Sequence, residues 1–180
     1  MIVYFMRHGF AGTKRLNPAQ DDKRPLAQEG IEQCRYVGRL LNALDVHVDR
    51  IYSSPLKRAT QTAYFVANEI DFEQKIETVA ALKPGADYER LRQLINQNRA
   101  AEAILLVGHS PNMNRFLSLL VTEGLSQKAV DLKKGCVARV EMGAKRAVLQ
   151  WMVTPRLVKT SFAAAYASAQ ESSRPKISKK

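Results

Sequence analysis

Runs of consecutive apolar residues alternate along the chain with segments in which apolar residues recur at helical spacing. The consecutive runs predict strands at 2–6 and 103–109, and two shorter segments that mix apolar and polar residues predict strands at 50–54 and 75–79. The run at 103–109 is apolar almost throughout, which is typical of a strand covered on both faces. The helical spacing predicts a first helix with Pro25 in its first turn, and the predicted helices lie at 25–44, 55–70, 88–98 and 110–121.

A hairpin is predicted late in the chain, with its turn at 143–145 and its strands at 136–142 and 147–153. Strand–helix alternation that ends in a hairpin predicts an α/β protein, a three-layer α/β/α sandwich with a mostly parallel central sheet. We divide the chain into a domain at 1–157 and a basic tail at 158–180. The tail ends in the polar stretch SSRPKISKK, which has no apolar face, so we expect it to be flexible.

Three of the predicted strands are followed by ionisable side chains. The carboxyl ends of parallel strands meet at one edge of a sheet, and ligands of such proteins bind there. The loops after the strands at 2–6, 50–54 and 103–109 each carry an arginine or a histidine. We therefore expect four side chains to share one site: Arg7, His8, Arg58 and His109.

These four side chains suit an anion. Two guanidiniums donate forked hydrogen bonds that match phosphate oxygens, and they stay charged at any working pH. No carboxylate cluster accompanies them, and the arginines would repel a metal cation, so we predict neither a metal nor a cofactor. An imidazole held among such cations can act as a nucleophile toward phosphorus.

For this chemistry, His8 must present a neutral ring nitrogen. Neighbouring cations lower the pKa of an imidazole, and a hydrogen bond from the other ring nitrogen to a backbone carbonyl would fix the tautomer. We expect Gly9 to allow a tight backbone turn at this point. We expect His109, as a protonated second imidazole, to help the arginines neutralise the phosphate, and the helix that begins at Ser110 to add its N-terminal dipole.

Basic residues outnumber acidic ones, and the formal net charge is +11. Six Lys or Arg and one acid lie between Arg156 and the end, so this segment contributes +5 of the +11. A basic field suits a phosphorylated, acidic substrate, and we expect no nucleic-acid partner. We expect neither a secretory leader nor a membrane span. The two cysteines, Cys34 and Cys136, match no metal-ligand spacing, which favours buried thiols and a cytoplasmic protein.

Three motifs follow one another in the order of the predicted strands: Arg7-His8-Gly9, SSPLKRATQTA at 53–63 and LLVGHSPNM at 105–113. Together they resemble the signature of the histidine phosphatase superfamily. The small size of the chain and three further segments most resemble the SixA-type phosphohistidine phosphatases; these are KRPLAQEG at 23–30, ALKPGAD at 81–87 and LQWMVTP at 149–155. The resemblance extends from Ile2 to about Leu157 and implies a phosphoglycerate mutase-like fold, with the catalytic domain at 1–157.

The resemblance further implies a metal-independent phosphatase in which His8 becomes phosphorylated while Arg7, Arg58 and His109 bind the phosphate. Larger family members have an acidic glutamate just after the third strand, whereas this chain has Ala81-Leu82-Lys83-Pro84 there. A phosphoester's leaving oxygen needs a proton, and a missing acid costs roughly 10²–10⁴-fold in rate. A phosphorylated imidazole, in contrast, leaves after protonation of its own ring.

The expected substrate is therefore phosphohistidine on a protein, with a small phosphoester as the other possibility. The short segment between Ala63 and His109 leaves no room for a large helical lid, so it predicts an open, shallow pocket suited to a protein surface. Whether Asp87 or Glu89 on the intervening loop serves as a general acid is left open.

Two other functions also stay open: a broad-specificity phosphomonoesterase of the same superfamily, and a non-catalytic phosphate- or nucleic-acid-binding module. A mutase would need the missing acid and a closed pocket. Serine-hydrolase chemistry is excluded because no histidine follows Ser110, and cysteine-phosphatase chemistry is excluded because neither cysteine has an arginine six positions later. We expect a monomer, and the sequence identifies neither the physiological substrate nor a role for the tail.

Overall fold

The alternation of strands and helices is present in a computed structural model of the protein, which describes residues 1–144 and 146–172. Within these residues one sheet has six strands: β1 (Ile2–Arg7), β2 (Arg50–Ser53), β3 (Glu77–Thr78), β4 (Ala103–Gly108), β5 (Val137–Met142) and β6 (Ala147–Val153). The same residues contain six α-helices: α1 (Pro18–Asp22), α2 (Gln28–Ala43), α3 (Lys57–Glu69), α4 (Tyr88–Gln97), α5 (Asn112–Val121) and α6 (Pro155–Ser172).

The sheet is mostly parallel, and its strand order is β3-β2-β4-β1-β5-β6. The strand β4 pairs in parallel with β1 and β2, and β2 pairs in parallel with β3. The strand β5 pairs antiparallel with β1 and β6, so the predicted late hairpin is confirmed. In its turn the Gly143 amide donates to the Arg146 carbonyl at 3.0 Å, while Lys145 lies outside the described residues.

Helices cover both faces of this sheet. Side chains alternate between the faces along a strand, and in β1 the pair Tyr4 and Met6 packs with α2 and α3, whereas Val3 and Phe5 pack with α4 and α5. All four side chains are at most 5% exposed, so a separate hydrophobic core lies on each side of the sheet. The predicted three-layer α/β/α sandwich is confirmed.

The segment before α2 differs from the prediction. The helix expected to contain Pro25 in its first turn begins only at Gln28. Two hydrogen bonds keep the preceding residues extended: the Leu26 amide donates to Oε1 of Gln61 at 2.8 Å, and the Ala27 amide donates to the Phe10 carbonyl at 3.0 Å. Tertiary contacts thus override the local preference of proline for a first helical turn.

The short helix α1 was not predicted from the sequence. It has Pro18 at its N-terminus, and the side chain of Asn17 accepts a hydrogen bond from the Ala19 amide at 3.0 Å. An Asn-Pro pair of this kind is a helix-start signal. The helix has only five residues, too few for a hydrophobic period to be visible.

The last helix crosses the predicted domain boundary at residue 157. Helix α6 begins at Pro155 and packs against α2, with Val158 only 3% exposed. The boundary itself stays a prediction, and the polar stretch beyond Ser172 lies outside the described residues. Both cysteines are free and buried, as predicted. Over the described part of the chain, no helix combines the length and apolar character needed to cross a bilayer.

The register of the central strands aligns their carboxyl ends. Arg7 in β1 lies opposite Gly108 in β4, and the His8 amide donates to the Gly108 carbonyl at 3.0 Å. On the other side of β4, the Ser54 amide donates to the Val107 carbonyl at 2.9 Å. The loops that follow β1, β2 and β4 therefore leave the sheet side by side.

Candidate active site

The four side chains predicted to share a site line one cavity at these strand ends. Its volume is about 560 Å³. The rings of His8 and His109 are in contact, with their centroids 4.9 Å apart and their planes tilted by 56°. His8 is 8% exposed, His109 2% and Arg58 5%, so the ionisable groups are largely removed from water. The topology has brought together residues that are up to about a hundred positions apart in the chain.

The ring of His8 has a defined tautomer. Its Nδ1 lies 2.7 Å from the Gly9 carbonyl oxygen. A carbonyl oxygen only accepts hydrogen bonds, so Nδ1 carries the proton and Nε2 keeps a free electron pair. This is the hydrogen bond that the sequence reasoning required of a nucleophilic histidine.

The role expected of Gly9 is corrected by the structure. Its φ is not positive, so the backbone there needs no glycine for a tight turn. A Cβ atom at Gly9 would instead lie 2.8 Å from the carbonyl oxygen of Gly30 in α2. The glycine is required by the close approach of the loop after β1 to that helix.

The ring of His109 is held by the loop after β2. Its Nε2 lies 2.8 Å from the Ser54 hydroxyl, which also accepts the Leu56 amide at 3.4 Å. Because this hydroxyl already accepts the Leu56 amide, we assign its own proton to the hydrogen bond with Nε2, which leaves the proton of the neutral imidazole on Nδ1. Nδ1 is buried and has no hydrogen-bond partner within residues 1–144 and 146–172, so it is available as a donor to a ligand.

Arginines surround the two rings. An Nη1 nitrogen of Arg7 donates to the Leu132 carbonyl at 3.0 Å, and one of Arg58 donates to the Asp21 carbonyl at 2.8 Å. Burial lowers the pKa of both guanidiniums, yet a guanidinium remains charged in proteins. A third guanidinium, that of Arg24, also lines the cavity, and sequence reasoning did not identify it as a site residue.

Three buried side-chain nitrogens lack a hydrogen-bond partner among the residues that the structure describes: Nε of Arg7, Nε of Arg58 and Nδ1 of His109. All three belong to residues that line the same cavity. Buried donors are normally satisfied, and a concentration of unsatisfied ones marks a ligand site. The acceptor that would satisfy all three is an anion with several oxygens.

Asp21 organises the arginines, and sequence reasoning missed it. Its Oδ1 accepts hydrogen bonds from Nε of Arg24 and from the Arg15 amide, both at 2.8 Å. Its backbone carbonyl oxygen accepts the hydrogen bond from Arg58. The hydrogen bond from Arg24 is the main reason why the pKa of Asp21 is lowered to about 2. Asp21 lies in α1, so the residue could be found only by recognising the Asn17-Pro18 start of that helix.

The two acids left open as general acids lie away from the cavity lining. The side chain of Asp87 accepts the Glu89 amide at 3.3 Å and caps the N-terminus of α4. The carboxylates that line the cavity are Asp21 and Asp22 of α1 instead. The loop after β3 contributes Pro84 to the lining.

The protonated second imidazole expected from the sequence is not supported by the structure. Burial is the largest cause of a pKa near 2 for His109, and the neighbouring His8 and Arg58 lower it further. Burial also lowers the pKa of His8 to about 4, with Arg58 and Arg7 contributing in the same direction. Both rings are therefore neutral near pH 7, and His109 offers a neutral N–H donor rather than a charge.

These two rings should make the protein less stable in mild acid. Unfolded histidines titrate near pH 6.5, so between about pH 6.5 and 4 the unfolded state binds more protons than the native state. The free energy of unfolding is therefore expected to fall as the pH drops through this range, by roughly 2–3 kcal/mol for each ring. Urea unfolding at pH 7, 5.5 and 4 measures it.

The variant His109→Gln removes one of the two buried rings and should flatten this pH dependence. Replacing His47, a histidine exposed at the surface, gives the matched control. Asp21, whose pKa is about 2, titrates below this range. A pH dependence that is as steep in His109→Gln as in the parent protein would contradict the assignment.

Comparison with known proteins places the chain in a family. The family model described as histidine phosphatase superfamily (branch 1) matches residues 3–84. An uncharacterized protein of Picosynechococcus sp. is 30% identical over 148 residues, which cover 81% of this chain and 88% of that protein. The phosphohistidine phosphatase SixA of Escherichia coli strain K12 is 29% identical over 113 residues, which cover 62% of this chain and 68% of SixA.

Solved structures show the same fold. A protein histidine phosphatase SixA complexed with tungstate superposes with a TM-score of 0.77 at 23% identity, covering 88% of this chain and 99% of that one. A phosphoglycerate mutase from Bacillus anthracis superposes with a TM-score of 0.67 at 15% identity, covering 90% and 96% of the two chains. The predicted phosphoglycerate mutase-like fold is confirmed. The chain belongs to the histidine phosphatase superfamily and is of the SixA type, so the prediction of a phosphatase is confirmed at the level of this family.

Proposed function

We propose that the protein is a metal-independent phosphatase that works through a phosphohistidine intermediate on His8 and acts on phosphohistidine in a protein. The observation that carries the proposal is the set of three unpartnered buried nitrogens, on Arg7, Arg58 and His109, beside a neutral imidazole. Phosphoryl transfer needs mainly positioning and neutralisation of the equatorial oxygens. The cavity offers both.

The proposed reaction has two steps. Nε2 of His8 attacks phosphorus, the P–N bond of the substrate breaks, and the electron pair leaves with the nitrogen of the substrate imidazole, whose other nitrogen already carries a proton. Water then attacks phosphorus on His8 and the P–N bond to Nε2 breaks. The electron pair of that bond returns to Nε2, and both protons of the water leave with the product as dihydrogen phosphate. Throughout, Arg7, Arg58 and Nδ1–H of His109 donate to the phosphoryl oxygens.

The carboxylates of the cavity favour a P–N over a P–O substrate. Asp21 is held ionised by Arg24 and has no proton to give near neutral pH. Asp22 is exposed to water at the end of α1. An alkoxide leaving group would need a proton from a nearby acid. A phosphoimidazole that is protonated on its ring already carries the proton that makes its leaving imidazole neutral.

The comparisons support this choice of substrate class. The Escherichia coli relative is named as a phosphohistidine phosphatase, and the similar solved structure holds tungstate, a tetrahedral oxyanion like phosphate. Two buried, free cysteines support our further proposal of a cytoplasmic protein, and the motifs at 1–157 support that segment as the catalytic domain.

The deciding experiment compares kcat/KM for a phosphohistidine peptide, p-nitrophenyl phosphate and phosphoserine. Without a general acid, kcat/KM should depend on how readily the leaving group departs without a donated proton. The value for the phosphohistidine peptide should exceed that for phosphoserine by at least about 100-fold. The aryl ester should fall between them, because its leaving group needs no proton. Each rate should be the same with and without EDTA, because the cavity neutralises phosphate with guanidiniums.

Equal turnover of phosphohistidine and phosphoserine would instead support the broad-specificity phosphomonoesterase. Binding of phosphate without turnover of any of the three substrates would support the non-catalytic module. Loss of activity in EDTA would contradict only the proposal that the mechanism needs no metal.

A further inference from the structure

The mouth of the cavity carries an unusual apolar residue. Leu16, in the loop between β1 and α1, is 102% exposed yet lines the cavity. Its neighbours are both tied to the protein: the Arg15 amide donates to Oδ1 of Asp21 at 2.8 Å, and the Asn17 side chain caps α1. The leucine is therefore held in water by a fixed backbone.

Three prolines surround the same opening. Pro18 begins α1, Pro84 follows β3, and Pro111 precedes α5; all three are exposed and line the cavity. A proline side chain loses almost no conformational entropy when it is covered. Three separate loops thus place rigid apolar groups beside Leu16, around the entrance to the phosphate site.

Cations lie among these apolar groups. Lys14, Arg15 and Lys134 are exposed and line the cavity, and Nζ of Lys134 lies 4.6 Å from the centre of the Phe10 ring. The acids at the opening are Asp21, which pairs with Arg24, and Asp22. The opening therefore has an excess of positive charge beyond the arginines inside the cavity.

We propose that this docking rim (Leu16, Pro18, Pro84 and Pro111 with Lys14, Arg15 and Lys134) binds the protein surface that presents the phosphohistidine. The partner has apolar side chains next to the phosphorylated ring and acidic side chains around them. The inference rests on the proposed function and adds the chemistry of the protein substrate. Among the described residues that line the opening, no exposed aromatic ring offers the stacking that single-stranded nucleic acid uses, so the rim fits a protein better.

The test uses three substrates that share the P–N bond. Two are peptides with one phosphohistidine, flanked by Leu and Glu in one and by Ser and Lys in the other, and the third is phosphoramidate. The parent protein should prefer the Leu/Glu peptide over the Ser/Lys peptide by about tenfold or more in kcat/KM, mainly through KM. The variant Leu16→Ser, which removes the apolar side chain without adding a charge near the phosphate site, should lose much of this preference, while its kcat/KM for phosphoramidate stays unchanged.

Two matched controls accompany the test. Leu125 is 91% exposed and follows α5, at the opposite end of that helix from the cavity-lining Pro111. Leu125→Ser should therefore leave all three rates as they are. Lys134→Glu should reduce the preference for the acidic peptide, whereas Lys75→Glu, at an exposed lysine after α3, should not.

The outcomes separate the two proposals. Equal rates on the two peptides, or an equal loss on the Leu/Glu peptide and on phosphoramidate in Leu16→Ser, would overturn the docking rim while the phosphatase stands. A preference for the Ser/Lys peptide would also overturn it and would point to a different partner. Failure of the parent protein to hydrolyse phosphoramidate and both peptides would overturn the proposed function itself.

Discussion

Replacing His8 with alanine is expected to abolish turnover of phosphohistidine and phosphoramidate, with a loss of roughly 10⁴-fold or more in kcat. The reason is chemical: the variant has no nitrogen to accept the phosphoryl group. The fold should survive, because among the residues that the structure describes the His8 ring forms a single hydrogen bond, to the adjacent Gly9 carbonyl. Steady-state kinetics and a thermal unfolding curve of the same preparation measure both effects.

The proposed phosphohistidine intermediate can be tested directly by comparing the parent protein with His8→Ala. Brief mixing of the parent protein with labelled phosphoramidate, followed by an alkaline quench, should leave label on His8 that acid removes. His47→Ala is the matched control, since it removes a histidine that is exposed and bonded to Asp45. Retained turnover in His8→Ala, or label on another residue, would remove His8 as the nucleophile.

Replacing Arg58 with alanine is expected to lower kcat/KM by roughly 10²–10³-fold. Arg58 is buried beside the two rings, and its Nε has no partner among the described residues, so the variant removes a donor as well as a charge. Arg58→Lys should recover only part of the loss, since an ammonium restores the charge but not the planar fork.

Stability separates a role in phosphate binding from a structural one. Asp21 keeps its bond to Arg24 in Arg58→Ala, so the buried carboxylate stays paired and the fold should be retained. The matched control is Arg39→Ala, which removes a largely exposed partner of Glu69. If Arg58→Ala unfolds at low temperature and Arg58→Lys restores both stability and full activity, then Arg58 acts through the fold alone.

The sheet and the position of the cavity could be predicted because strong patterns specify them. The run at 103–109 is apolar enough to be buried on both faces, and β4 does lie in the middle of the sheet. Parallel pairing of β1, β4 and β2 then determines which loops are neighbours. The rule that ligands bind at the carboxyl ends of strands was sufficient to bring Arg7, His8, Arg58 and His109 together.

The wall of the cavity formed by α1 could not be predicted in the same way. A helix of five residues has no visible period, and Arg24 resembles any exposed arginine until Asp21 is seen beside it. The protonation state of His109 could not be predicted from the sequence either, because it depends on how deeply the ring is buried. Motif and topology were therefore enough to predict the position of the proposed nucleophile and its cations, whereas the charge network behind them required coordinates.

The contact between the loop after β1 and α2 has a consequence for how the imidazole is held. A Cβ atom at Gly30 would lie 1.9 Å from the Phe10 carbonyl oxygen, and that oxygen accepts the Ala27 amide while the Phe10 amide donates to Gln33. These contacts hold the loop closely against the helix. The loop that carries His8 is thus already ordered before a substrate arrives, so less conformational entropy remains to be lost on the way to the transition state.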